Sequence, residues 1–172
     1  MQQTRLALAD VNALDAEAFC AAFGSVFEHS PWVADAAWRR RPFGSLAELD
    51  GAFEAAVREA PVQRRLELLR AHPELAGSEA STGELTEESE REQGSAGLDR
   101  LTSDEAAELR GLNAAYRERF GFPFIVCVRE HTRHSILAAG RARLAHPPAR
   151  ERDVALGEVL KIARLRLHDI VE

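Results

Sequence analysis

Apolar residues recur at helical spacing along most of this chain. Phe19, Phe23, Val26 and Phe27 fall at i, i+4, i+7 and i+8, one face of a helix that Asp15 can cap and that is expected to run to about Phe27. Ser30, with Pro31 in the first turn, predicts a second helix through PWVADAAW. Pro42 and Gly44 break the pattern. Ser45 and Glu48 then stand at capping-box spacing, and Leu46, Leu49, Phe53, Ala56 and Val57 form the inner face of a third helix. Pro61 opens a fourth helix through Arg70, with Val62, Leu66 and Leu69 inward. It ends at His72, because a residue before proline is pushed out of the α region. Residues 1–14 read as a lead-in, loose over 1–9.

Downstream, Thr86 caps a short polar helix. Thr102 and Glu105 make a second capping box, for a helix whose buried stripe is Leu109, Leu112, Tyr116 and Phe120 and which stops at Gly121. FPFIVCV, residues 122–128, is the only β-like run; without a second strand to pair with, it is expected to be a buried extended segment. Helices resume near Thr132 and again after Pro147-Pro148, the last running to about Val171. The pattern predicts an all-α bundle of about eight helices, one domain over residues 1–172, with no repeat of fixed period.

The chain has 172 residues, enough for one domain to bury roughly 70% of its unfolded surface. Hydrophobic residues make up 45% and charged residues 29%, the balance of a soluble globular protein. No apolar run at the N-terminus resembles a signal peptide and none is long enough for a bilayer, so a membrane partner is not expected. Net charge is −6 with no basic block, which argues against nucleic acid. Cys20 and Cys127 are far apart among apolar residues, so neither a disulfide framework nor a zinc cluster is expected, and a reducing cytoplasm fits. His131 and His134 lack a third ligand at suitable spacing, and no metal is expected.

Three places carry candidate chemistry. His72 is either a capping residue or a proton carrier; the rigid His-Pro step before a glycine-containing loop fixes its ring direction. The run EESEREQ would ordinarily be a solvated helix face. At about 100° per residue, however, Ser89, Glu92 and Gln93 fall within a roughly 100° arc and offer a hydroxyl, a carboxylate and an amide to one point. On the last helix Ala155, Leu156, Val159, Leu160, Ile162, Ala163, Leu167, Ile170 and Val171 fill a roughly 180° apolar arc, and Arg166 lands inside it. A buried guanidinium requires an acidic mate or an anionic ligand, and its planar fork suits a carboxylate. FPFIVCV is core or, with backbone groups left unspent by any sheet, a wall for a flat heterocycle with amide edges.

HPELAG, SEREQ with AGLDRL, LNAAYRERFGFPFIVCV, EVLKIARLRL and the earlier FEHSPWVADAAW resemble the 2-oxo-4-hydroxy-4-carboxy-5-ureidoimidazoline (OHCU) decarboxylase family over about residues 10–171, in that family's order and spacing. The resemblance implies a cofactor-free, homodimeric, all-α enzyme that makes (S)-allantoin in urate degradation from a small ureidoimidazoline substrate. It implies that His72, Glu92 and Arg166 are catalytic. It also implies substrate contacts from Pro73, from Ser89, Glu90, Arg91 and Gln93, and from backbone groups of Phe124, Ile125, Val126, Cys127 and Val128. Ser78 departs from the basic residue many members carry, and the ending HDIVE lacks the peroxisomal signal of some eukaryotic members, which points to a bacterial cytoplasmic enzyme. Two other readings use the same residues: an acid–base lyase or hydrolase on another cyclic ureide, and a non-catalytic helical interaction module.

Overall fold

A computed structural model describes residues 5–77, 80 and 82–172; Ser78 and most of the N-terminal tip lie outside the described residues. The fold is all-α. Nine α-helices occur among the described residues: α1 Leu8–Ala13, α2 Ala16–Phe23, α3 Trp32–Trp38, α4 Leu46–Arg58, α5 Val62–Ala71, α6 Glu87–Ser95, α7 Ser103–Phe120, α8 Arg133–Arg143 and α9 Pro148–Ile170. None is long and apolar enough to cross a membrane. The backbone divides into two compact units, residues 1–68 with 160–172, and residues 69–159.

The first unit is built on aromatic rings. Phe53 on α4 lies 6.0 Å from Phe19, 6.1 Å from Phe23 and 6.1 Å from Phe27, centroid to centroid. Asp15 caps α2 by accepting the Ala18 N–H at 2.8 Å. That helix stops at Phe23, earlier than its apolar spacing predicts. Gly24 forms its C-cap, and Val26 and Phe27 reach the core from irregular backbone beyond it. Ser30 is buried but does not cap α3, whose N-cap is Pro31 with no side-chain hydrogen bond. Ser45 caps α4 as expected, whereas Glu48 reaches back to the N–H of Gly44 rather than closing a box on Ser45.

Two features of this unit differ from the sequence pattern. The segment read as a lead-in contains α1, and Leu6 bridges to the C-terminal end: its N–H donates to Ile170 O at 2.8 Å and its C=O accepts from Glu172 N at 3.0 Å. The helix is too short to announce itself by periodicity. On α5, Val62 is 48% exposed and Leu66 only half-buried; the inner face is Leu68 and Leu69.

The second unit gathers α6, α7, α8, the start of α9 and the segment 122–128. Thr102 and Glu105 form the expected capping box of α7, and Gly121 ends that helix in the left-handed region at φ 76°, a conformation glycine adopts without steric cost. Thr132 and Ser135 make a further box on α8. Gly140 lets α8 approach α7 closely, since a Cβ there would collide with the Leu112 side chain. Residues 122–128 are buried throughout and belong to no sheet, as the sequence predicts.

Phe53→Ala is expected to cost about 3–5 kcal/mol by urea denaturation, because it opens a cavity among three other rings. Val62→Ala should stay within about 0.5 kcal/mol, despite its apolar character, because the side chain is half in water.

Candidate active site

The loop His72–Gly77 leaves α5 and is fastened at three successive residues. Glu74 pairs with Arg117 on α7, Leu75 C=O accepts from Asn113 Nδ2 at 3.2 Å, and Ala76 N–H donates to Gln93 Oε1 at 2.9 Å. Ala76 sits in the left-handed region at φ 47°, which costs an L-residue about 1–2 kcal/mol. The amide of Gln93 offsets that cost. His72 and Pro73 stand half-buried at the head of this fastened loop.

Helix α6 is capped by Thr86, whose side chain accepts the Ser89 N–H. Its buried residues are Ser89, Glu92 and Gln93, the trio grouped from helical spacing. Glu90 and Arg91 point to solvent on the opposite face. Glu92 is 7% exposed and meets Arg129 at 3.4 Å. Arg129 lies in the short 3-10 turn Val128–Glu130, which closes the buried segment and packs on α6. The second unit thus brings together the His72 loop, the polar face of α6 and the 122–128 wall.

That wall is held by ions rather than by a neighbouring strand. Ile125 C=O accepts from Arg143 Nη1 at 2.7 Å, and Cys127 N–H donates to Glu158 Oε2 at 2.8 Å. Arg143 is itself seated on Glu151, with Nε 3.0 Å from Oε1 and Nη2 on the same oxygen, and its guanidinium carbon lies 4.9 Å from the Phe124 ring centre. Glu151 is fully buried and also takes the Tyr116 hydroxyl and, at 2.8 Å, His146 Nδ1. Burial, then the charge of Glu158, push Glu151 up, against the opposite pull of the Arg143 guanidinium on its Oε1. Burial lowers Arg143 to about 10, so it keeps its charge at neutral pH. Burial, then Arg150 and Arg143, push His146 down.

Arg166 belongs to the first unit. It is 3% exposed, as its place in the apolar arc predicts, and its mate is Glu28. Nη1 and Nη2 both lie 3.2 Å from Glu28 Oε1, and Nη1 also reaches Val26 C=O at 3.2 Å. The two histidines weighed as metal ligands have other company: His131 Nδ1 lies 3.0 Å from the Ser135 hydroxyl, and exposed His134 stands beside Glu105.

Asn113, Arg129, Arg143, Glu151 and Glu158 take part in this architecture without having been singled out from the sequence. Helical spacing could have found most of them. Arg143 follows Ile136 and Gly140 on the inner stripe of α8, Asn113 sits between Leu112 and Tyr116, and Glu151, Ala155, Glu158 and Ile162 share one face of α9. Glu28 lies in irregular backbone and Arg129 in a single 3-10 turn, where periodicity gives no sign.

A family model described as OHCU decarboxylase matches residues 12–168. The chain belongs to that family. A relative from Haloferax volcanii (strain DS2), named 2-oxo-4-hydroxy-4-carboxy-5-ureidoimidazoline decarboxylase, is 46% identical over 162 residues, covering 94% of each chain. The crystal structure of an (S)-allantoin synthase superposes with a TM-score of 0.79 at 32% identity, covering 97% of this chain and 54% of that one. This chain therefore spans about half the length of that protein. A crystal structure of OHCU decarboxylase in the presence of (S)-allantoin shares the fold, with a TM-score of 0.68 at 24% identity over 90% of this chain and 96% of that one. Every catalytic and substrate-contact residue that the OHCU decarboxylase resemblance implies lies within the matched span.

The thiol in the wall is not a nucleophile. Cys127 is 1% exposed, and burial, with Glu130 and Glu158, pushes it up to about 11. Iodoacetamide at pH 8 should leave Cys127 unmodified in the native protein and label half-buried Cys20 slowly, since burial and Asp35 raise its pKa too. In urea both should react as free thiols, which peptide mass spectrometry reads directly.

Proposed function

We propose that this chain is a cofactor-independent decarboxylase that converts OHCU to (S)-allantoin and carbon dioxide in urate degradation. The observation that carries the reading is the family match over residues 12–168, joined to a fastened His-Pro loop that packs against a buried carboxylate face. A single OHCU decarboxylase-like domain working as a cytoplasmic homodimer agrees with the family resemblance.

Loss of carbon dioxide breaks one C–C bond, and its electron pair must be received by the substrate. The ring accepts it as an enolate-like anion, and one proton then completes the product carbon. In this scheme Arg166 orients the substrate carboxylate and stabilises developing charge, in the manner of a preorganised cation in a dry site. His72 handles the proton, and Glu92 positions its partner group. Pro73 shapes the floor beside His72. Ser89 and Gln93, with the backbone of Glu90 and Arg91, line the ureido side, and the peptide groups of Phe124 to Val128 meet the ring edge. Since free OHCU also decays to racemic allantoin, one-sided protonation is part of the task.

His72→Ala should yield slow and racemic product when fresh OHCU is followed by circular dichroism. A variant that keeps both wild-type rate and handedness removes His72 from the mechanism. Arg166→Lys keeps a charge beside Glu28 while losing the planar fork; kcat/KM for OHCU should fall about 100-fold. If the affinity for (S)-allantoin, which lacks the carboxylate, falls by as much, Arg166 acts through Glu28 and the fold rather than through the substrate carboxylate.

A further inference from the structure

Both peptide bonds of Val126 are trans, as the one cis bond among the described residues is Arg41–Pro42. In a trans peptide the C=O and the following N–H point in opposite directions. Ile125 C=O is aimed at Arg143, so Val126 N–H is aimed away from it. Cys127 N–H is aimed at Glu158, so Val126 C=O is aimed away from Glu158. Among the described residues neither the N–H nor the C=O of Val126 has a hydrogen-bond partner, although the residue is 3% exposed. Buried peptide groups are nearly always satisfied, so this pair awaits a donor and acceptor from outside the chain.

We propose that Arg143, seated on Glu151, is a positioning residue: by gripping the Ile125 carbonyl it turns the Val126 peptide groups toward the amide edge of the ureide ring. The inference rests on the proposed decarboxylase reading and adds to it residues that touch no substrate. Arginine suits the task because one planar fork reaches the Glu151 carboxylate through Nε and Nη2 while Nη1 is left for the carbonyl. Lysine, a compact ammonium, cannot span both. Glu158 does the corresponding work at Cys127, which pins the segment on either side of Val126.

The test compares Arg143→Lys with Tyr116→Phe. The second variant removes a bond to the same Glu151 carboxylate but leaves the Ile125 carbonyl in place. With wild type shown to be active on OHCU, KM for Arg143→Lys should rise about tenfold, with a smaller fall in kcat, and the rise should exceed that of Tyr116→Phe at matched loss of Tm. An unchanged KM, or equal changes in the two variants, overturns the proposal. A wild type inactive on OHCU instead rejects the decarboxylase reading. If Arg143→Lys does not fold, 15N-labelled wild type titrated with (S)-allantoin decides. The Val126 amide should shift strongly and the Glu158-bound Cys127 amide little; a Val126 amide that stays put refutes the inference.

Discussion

An extended segment buried without a partner strand cannot satisfy its own peptide groups, and much of the second unit follows from that constraint. Residues 122–128 carry the ring contacts that fill the core beneath Tyr116, with Phe124 at 5.4 Å and Phe122 at 6.1 Å from its centre. A helix would have used the backbone internally, and a sheet would have used it laterally. Here side chains from α8 and α9 take over the work of a neighbouring strand. Arg143 supplies a donor and Glu158 an acceptor, and each charge must then be offset in turn. The Glu151 carboxylate, with Tyr116 and His146 on it, is the offset for Arg143.

The first unit solves a related problem around Arg166. An arginine at the centre of an apolar helix face needs compensation, and Glu28 and the Val26 carbonyl provide it from the irregular stretch that follows α2. That stretch keeps Val26 and Phe27 in the core, so the aromatic cluster and the ion pair share one short piece of backbone. Burial of the rings fixes where Glu28 can stand, and Glu28 fixes where the guanidinium points. Both units therefore place a charge where hydrophobic packing has already set the coordinates.

How much of this was legible depended on whether a residue lay on a regular helix. The caps at Asp15, Thr86 and Thr102 were readable because one short polar side chain at the right offset satisfies a terminal N–H. The α6 trio and buried Arg166 were readable from angle alone. Asn113, Arg143 and Glu158 obey the same geometry, but a single polar residue inside an apolar stripe carries no period of its own to mark it. Val62 failed in the other direction: apolar chemistry at the right spacing, but in a first turn that the core does not reach. Glu28, Arg129 and the three fastenings of the His72 loop depend on tertiary placement of irregular backbone, and α1 is too short to leave a period.

Energetics favour position, not stability, as the reason for the Arg143 and Glu151 pair. Replacing a buried ion pair by apolar residues of like volume is often neutral or stabilising by about 1–4 kcal/mol, since two desolvated charges barely recover their hydration. A core selected for stability alone could fill this place with leucine or methionine. What apolar residues cannot do is hold the Ile125 carbonyl, and a released carbonyl leaves the next peptide plane free to rotate. A peptide group that recognises a small planar ring must keep its direction to within about 10–20°. On the proposed decarboxylase reading, the charge therefore earns its place by fixing an angle in a backbone wall that meets the substrate.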